Sequence, residues 1–458
     1  MNLSNYIIIL SLLLYTLTIP SKLKIANASN PLFNEDKLSN LIFVFNHMKH
    51  GASTPCYGLN DYYTDIFEQK WIGYCELTKK GFLQLFKLGK IFQQRYDNLL
   101  KIRKDPDINK ILSFASKESK TLMSSNALFY GMFINNNTPI EEQYTIPTKN
   151  FKKTPDALSD LIPIFYFTDI NNCKGWKNSV NKLNGNKIPE FNDFITKFIK
   201  KYENIFELLK EEETLSKQKT WFDKINLVCS NYISNYYDDR YKDIKVFKAL
   251  EYTEDQFYEL YYTCLEFNLY KYIYIQYNAK AENIPPLILS ELLNDMINYM
   301  DLIISHPERE PPQFLSYMGH DSTISAMQVI LNKLFNVPFK LMNYGSNQIF
   351  LLFKNGNNYE IKYFYNDELL LTINYDEFKK DILNLLKKND KNLDNFCRGF
   401  NFKFKDYTLL ILCGLIVALF IANVSACFYH RSILCEKKKY ISIKEEPGAK
   451  TVDIKNEV

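Results

Sequence analysis

The sequence predicts an α/β protein whose sheet core is interrupted by a mainly helical insertion and followed by one C-terminal transmembrane helix. Three observations carry this. Short apolar runs such as "NLIFVF" and "ILSFAS" alternate with stretches of helical periodicity, the strand–helix succession of α/β cores. From about Ile140 to Pro286 that succession gives way to long amphipathic stretches. From Tyr407 to Tyr429 the chain carries no charge over 23 residues, enough to cross about 30 Å of hydrocarbon as a helix.

Taken in order, "MNLSNYIIILSLLLYTLTIP" has the apolar length of a signal-peptide core, although no basic residue precedes it. The small residues Ala26 and Ala28 place cleavage after Ala28; Pro20 is the alternative break, and an uncleaved anchor the competing reading. "NLIFVF" is a short apolar run bounded by polar sequence and reads as a central strand, with His47 through Pro55 as the loop after it. In "ELTKKGFLQLFKLGKIFQQRY", Leu77, Phe82, Leu85, Leu88 and Phe92 approach helical spacing, and Thr78 can cap the helix. "ILSFAS" is a second strand, and "KESKTLMSSNALFYGMF" a helix after it. "EFNDFITKFIKKYENIFELLK", "EDQFYELYYTCLEFNLYKYIYIQ" and "LILSELLNDMINYMDLII" are further helices. "PPQFLSYMGHD" returns to strand and loop, and alternating runs around "NG" in "FLLFKNGNNYEIKYFYND" mark a hairpin.

The boundaries that follow are 1–28 for the signal peptide, 29–139 for the first part of the core and 140–300 for the helical insertion. The second part of the core takes 301–400, the transmembrane helix 407–429 and a cytoplasmic tail 430–458. Arg431 and Lys437 to Lys439 after the span favour a cytoplasmic C-terminus. The expectation is a single-pass type I membrane protein of the lysosome, the endosomal or secretory pathway, or the cell surface. A formal net charge of +4 gives nucleic-acid binding no electrostatic support. Of nine cysteines, Cys56, Cys75, Cys173, Cys229, Cys264 and Cys397 precede the span. Their even number predicts disulfides, with all 15 complete pairings open. "NNT" at Asn136 to Thr138 is a glycosylation sequon.

The chemistry-bearing residues are few. The chain has five histidines, and His47 and His50 follow the first strand. A metal site would need further ligands, and neither HExxH nor a carboxylate-rich set accompanies them, so neither a metal nor a cofactor is expected. His320 and Asp321 sit in "YMGHDSTIS" at the end of another strand. Two histidines at strand ends can meet at the carboxyl edge of an α/β sheet, where such folds place their sites.

"FVFNHMKHGASTP", "ELTKKGFLQLFKLGKIFQQRY", "SKESKTLMSSNALFYG" and "SYMGHDSTIS" occur in the order seen in the histidine acid phosphatases. The resemblance spans roughly Asn40 to Leu352, and the signal peptide, insertion and anchor also resemble the lysosomal and prostatic members. It implies a three-layer sheet core of the histidine phosphatase type with an inserted helical cap. In the family motif Arg-His-Gly-x-Arg-x-Pro, the histidine is phosphorylated and the arginines hold phosphate. His50, Gly51 and Pro55 match that motif; His320 and Asp321 match the distant pair, Asp321 as proton donor. Lys49 and Ser53 stand at the two arginine positions, Lys120 at a third, and Leu351 at a glutamate position. The implied catalytic set is therefore His50, His320 and Asp321, with Lys49, Ser53, Lys120 and His320 against the phosphate. Lysine keeps the charge of arginine without its planar fork, and serine keeps neither. Two functions compete: an acid phosphatase working through a phosphohistidine, and a catalytically impaired, membrane-anchored homologue with a binding or structural role. The partner would be a phosphorylated small molecule or a phosphoprotein, and a homodimer is allowed.

Overall fold

Alternation along the first strand divides the core into two faces. In β1 (Leu41–Lys49), Phe43 and Phe45 enter one apolar cluster while Val44 and Met48 enter the other. The computed structural model describes residues 38–56, 74–102, 107–133, 164–166, 189–210, 213–239, 248–277, 286 and 288–388. All of them fall in one of two units, Met1–Arg398; the other unit is Gly399–Val458.

α1 (Lys79–Leu100) begins where Thr78 accepts a hydrogen bond from the Gly81 N–H, the capping read from the sequence. β2 (Ile111–Ala115) and α2 (Ser119–Phe133) follow, then β3 (Ile164–Tyr166). Five helices come next: α3 (Pro189–Lys201), α4 (Glu203–Leu208), α5 (Glu213–Ser216), α6 (Trp221–Tyr237) and α7 (Glu254–Tyr277). α8 (Ser290–Ser305) leads to β4 (Phe314–Gly319) and α9 (Asp321–Phe335). β5 (Asn347–Asn355), β6 (Asn358–Tyr365), β7 (Glu368–Asn374) and α10 (Tyr375–Lys388) end the described chain.

The seven strands form one mixed sheet in the order β3-β2-β4-β1-β5-β6-β7. β1 runs parallel to β4 and antiparallel to β5, so it sits where the parallel half meets the antiparallel half. α1 and α2 cover one face of the sheet, while α8, α9 and the helices before β4 cover the other. The hairpin at "NG" is present, with Gly356 at φ +63° in the turn. Among the described residues two disulfides are formed: Cys56–Cys75, and Cys229–Cys264 between α6 and α7.

Two expectations are corrected. The residues His47 to Lys49 belong to β1 rather than to a loop, because pairing with β4 continues to Lys49 opposite Gly319. The transmembrane helix is the second. Among the described residues no helix is long and apolar enough to cross a membrane. The longest, α1 and α7, carry charges along their lengths and bury one face in the core. The segment 407–429 itself lies outside the described residues, as do the signal peptide, the sequon, Cys173 and Cys397. Over the described residues the fold is a mixed α/β sheet with flanking helices, none of which is a membrane helix. The expectations of a membrane anchor and a single-pass type I topology are corrected accordingly.

Candidate active site

β1 and β4 end side by side, and each hands the chain directly to a histidine. The His50 N–H donates to the Gly319 carbonyl at 3.1 Å, which stitches the two strand ends together. His320 then starts α9 as its N-cap residue. The rings of His50 and His320 lie edge to face with centroids 5.4 Å apart.

Nδ1 of His50 lies 2.8 Å from the Gly51 carbonyl oxygen. A carbonyl only accepts, so Nδ1 carries the proton and Nε2 carries the lone pair. Burial lowers the His50 pKa well below the usual imidazole range, and the charges of Lys120, His320 and Lys49 push in the same direction. His50 is therefore a neutral imidazole with one free nitrogen, the form in which histidine is nucleophilic.

Gly51 is required by sterics. A Cβ there would lie 2.5 Å from the Leu85 side chain and 2.6 Å from the Gly81 carbonyl oxygen. The His50 loop thus rests directly on the first turn of α1, and the Gly51 N–H donates to Ser124 of α2 at 3.0 Å.

His320 is pushed down to about 4, first by burial and then by Lys120, with Glu118 and Asp321 opposing. Its Nε2 lies 2.8 Å from the Ser116 hydroxyl, which in turn lies 2.8 Å from Thr121. Glu118 lies 3.7 Å from the same nitrogen. Behind the site, the Thr323 hydroxyl lies 3.1 Å from Nε2 of His47 and 3.0 Å from the His320 carbonyl oxygen to which it donates. His47 is wholly buried, with burial holding it down to about 3. It is a strut between β1 and α9, not a companion of His50.

The residues at the arginine positions each have a partner. Lys49 Nζ forms an ion pair with Asp321 at 2.6 Å and stands 4.7 Å from the centre of the Tyr344 ring. Its side chain is 3% exposed and that of Asp321 18%. Lys120 pairs with Glu118 at 3.0 Å and lies 3.2 Å from Sγ of Cys75. The Cys56–Cys75 disulfide therefore backs the amine. Ser53 hydrogen-bonds the Tyr344 hydroxyl, which Ser234 of α6 also holds at 2.8 Å. Leu351 is packed in the core.

The structure thus gathers His50, His320, Asp321, Lys49 and Lys120 at the ends of β1 and β4, with Ser53 bonded to Tyr344. Sequence reasoning missed Tyr344, whose ring lies 5.7 Å from that of His50, and Glu118 and Ser116, which meet His320. Ser116 and Glu118 lie inside a quoted motif stretch and Tyr344 outside all of them, yet nothing in their local pattern marks them, because their partners are distant in sequence. The arrangement can hold an anion between two lysines and offer it one neutral imidazole nitrogen, with a carboxyl group alongside.

Comparison with known proteins agrees with this geometry. A family model, the histidine phosphatase superfamily (branch 2), matches residues 31–366, well over half of the chain. No curated protein sequence matches. Among solved structures, a Citrobacter braakii phytase is similar at 12% identity, covering 76% of this chain and 98% of its own, with a TM-score of 0.52. A Klebsiella phytase (13% identity, 77% and 96% covered) and a Bifidobacterium longum multiple inositol polyphosphate phosphatase (12%, 77% and 91%) each reach 0.49. At these identities the first likeness concerns the fold alone, and the other two carry no further weight. On the family match, the chain belongs to branch 2 of the histidine phosphatase superfamily.

Proposed function

We propose that this chain hydrolyses phosphate monoesters at acid pH through a phosphohistidine at His50. The observation that carries the reading is the His50 Nδ1 contact to Gly51, which leaves Nε2 open beside His320 and within the field of Lys49 and Lys120. In the first step Nε2 attacks phosphorus, the bond to the ester oxygen breaks, and Asp321 gives that oxygen its proton. In the second, water attacks phosphorus, the phosphorus–nitrogen bond breaks and returns its electron pair to Nε2 of His50, Asp321 takes the water's proton, and phosphate leaves. Lys49, Lys120 and His320 would hold the equatorial oxygens, whose charge must be met in a low-dielectric site. Substrate phosphate would draw Lys49 away from Asp321 and so free the carboxyl group to carry a proton.

The motif order, similar to that of the histidine acid phosphatases, supports the acid-phosphatase form of this reading. The fold shared with a phytase makes phytate one monoester to include among the substrates tried. A second reading, a catalytically impaired homologue with a binding or structural role, is favoured by one observation. Ser53 and Lys49 spend their polar groups on Tyr344 and Asp321 rather than facing open space. The test is phosphate release from p-nitrophenyl phosphate by the full chain at acid pH. Release abolished in His50→Ala supports the enzyme, and phosphate binding without release supports the second reading.

A further inference from the structure

Lys49 and Lys120 each hold a carboxylate, but only one of those carboxylates has work in the reaction. Asp321 pairs with Lys49 and handles the proton. Glu118 pairs with Lys120: one of its oxygens lies 3.0 Å from the amine and the other 3.7 Å from Nε2 of His320. The sulfurs that back the amine, Cys75 at 3.2 Å and Cys56 at 3.4 Å, carry no charge. The carboxylate therefore turns its two oxygens toward two of the groups that would hold a phosphate, and stands where phosphate oxygens would go. It is also the outermost of the three, since Lys120 and His320 are 8% exposed and Glu118 is 32%. The Glu118 backbone is pinned: its carbonyl oxygen accepts from the Thr121 and Leu122 N–H groups, each at 3.1 Å, in the first turn of α2. The carboxyl group can turn outward about its own side-chain bonds without the helix moving.

We propose that Glu118 is a specificity-determining residue of the His50 site: its carboxylate occupies Lys120 and His320 in place of phosphate, an ester must displace it, and esters with several negative charges are disfavoured. The inference rests on the phosphatase reading of that site. An ester with one phosphate exchanges one anion for another on Lys120, and the displaced carboxylate turns to solvent. It stays tethered within a side chain's length of Lys120, inside the screening distance of about 8 Å at physiological salt. Further phosphate groups on the substrate are repelled at that range, whereas a neutral alcohol is not. The site thus favours monoesters of neutral alcohols over polyphosphorylated ones.

The test uses the full chain at low ionic strength. Inorganic phosphate and phytate compete with p-nitrophenyl phosphate, and their inhibition constants are measured. Glu118→Gln keeps the volume and removes the charge. It should tighten inorganic phosphate roughly threefold, the scale of one partly exposed ion pair. Phytate should gain roughly tenfold or more, because the charge opposes several phosphates at once. The difference between the two gains should shrink in high salt. Weaker binding of either competitor, as loss of a prop for Lys120 would give, or a phytate gain no larger than the phosphate gain, would overturn the assignment. Should Glu118→Gln not fold, Glu118→Ala decides by the same constants. A chain that folds with neither substitution refutes the proposal, since a carboxylate that substrate displaces cannot be one the fold requires. A wild type that does not hydrolyse p-nitrophenyl phosphate in a His50-dependent way removes the phosphatase reading as well. His50-dependent turnover with unaltered inhibition constants in Glu118→Gln removes only the role of Glu118.

Discussion

Replacing Lys49 by Met separates charge from volume at the centre of the site. The Lys49 side chain is 3% exposed and its amine lies 2.6 Å from Asp321, 3.4 Å from the Met342 carbonyl oxygen and 4.7 Å from the Tyr344 ring. Methionine fills a similar volume, so the main loss is the ammonium ion. The Asp321 carboxylate then loses its cation, but at 18% exposure water can reach it. That moderates the stability cost from the 3–5 kcal/mol of a fully buried pair to about 1–3 kcal/mol, a few degrees in melting temperature. Catalysis should suffer more. One charged donor beside the transferring phosphoryl group is worth roughly 3 kcal/mol, a hundredfold or more in kcat/KM. Lys49→Arg should keep both stability and rate, because charge matters before geometry. Thermal melts and steady-state kinetics of the two variants measure this. A folded Lys49→Met with wild-type kcat/KM would refute the placement of Lys49 against the substrate.

Three further outcomes are expected. His47 and His320, held down to about 3 and about 4 by burial, stay neutral in the native state while the unfolded chain takes up protons below about pH 6.5. Their stabilising effect is complete above that value and is lost as pH falls toward 4. Each contributes a slope on the order of 1 kcal/mol per pH unit, and denaturant unfolding at pH 7.5, 5.5 and 4.5 would show no such decline if these histidines were solvated. Gly51→Ala forces its methyl group into Leu85 and the Gly81 carbonyl, so it should cost about 1–3 kcal/mol of stability and displace His50, lowering activity as well; unchanged melting and rate would contradict the close approach. Ser53→Arg alone should give no gain in rate, because position 53 is buried and its side chain faces the Tyr344 hydroxyl, whereas Ser53→Arg with Tyr344→Ala should bind phosphate more tightly in calorimetry.

What was legible in the sequence was local. The spacing of Phe82, Leu85 and Phe92 and the cap at Thr78 foretold α1, because both are decided within one or two turns. His50, His320 and Asp321 could be picked out because each lies in a compact motif at a strand end. β7 and α10 were missed: the "ND" at Asn366 and Asp367 turns the chain into a third antiparallel strand without a glycine, and both residues adopt positive φ. α9 was passed over because His320 and Asp321 read as loop chemistry, although they also start a helix. Tyr344 was invisible for a different reason. It acquires its place through partners on separate elements, Ser53 and Ser234, and no one-dimensional pattern couples those positions. The long uncharged run at 407–429 was read as a membrane span from length alone, and the described fold contains no such helix.

The central claim is that His50 is the nucleophile and that Nε2 is the nitrogen it uses. Labelled phosphate monoester mixed with the full chain and quenched within milliseconds at neutral or alkaline pH should leave label on His50, since phosphohistidine is lost in acid. The isomer is diagnostic: Nδ1 is committed to the Gly51 carbonyl, so the phosphoryl group should be found on Nε2. Label on Nδ1 or on another residue, or wild-type turnover in His50→Ala, would contradict the account.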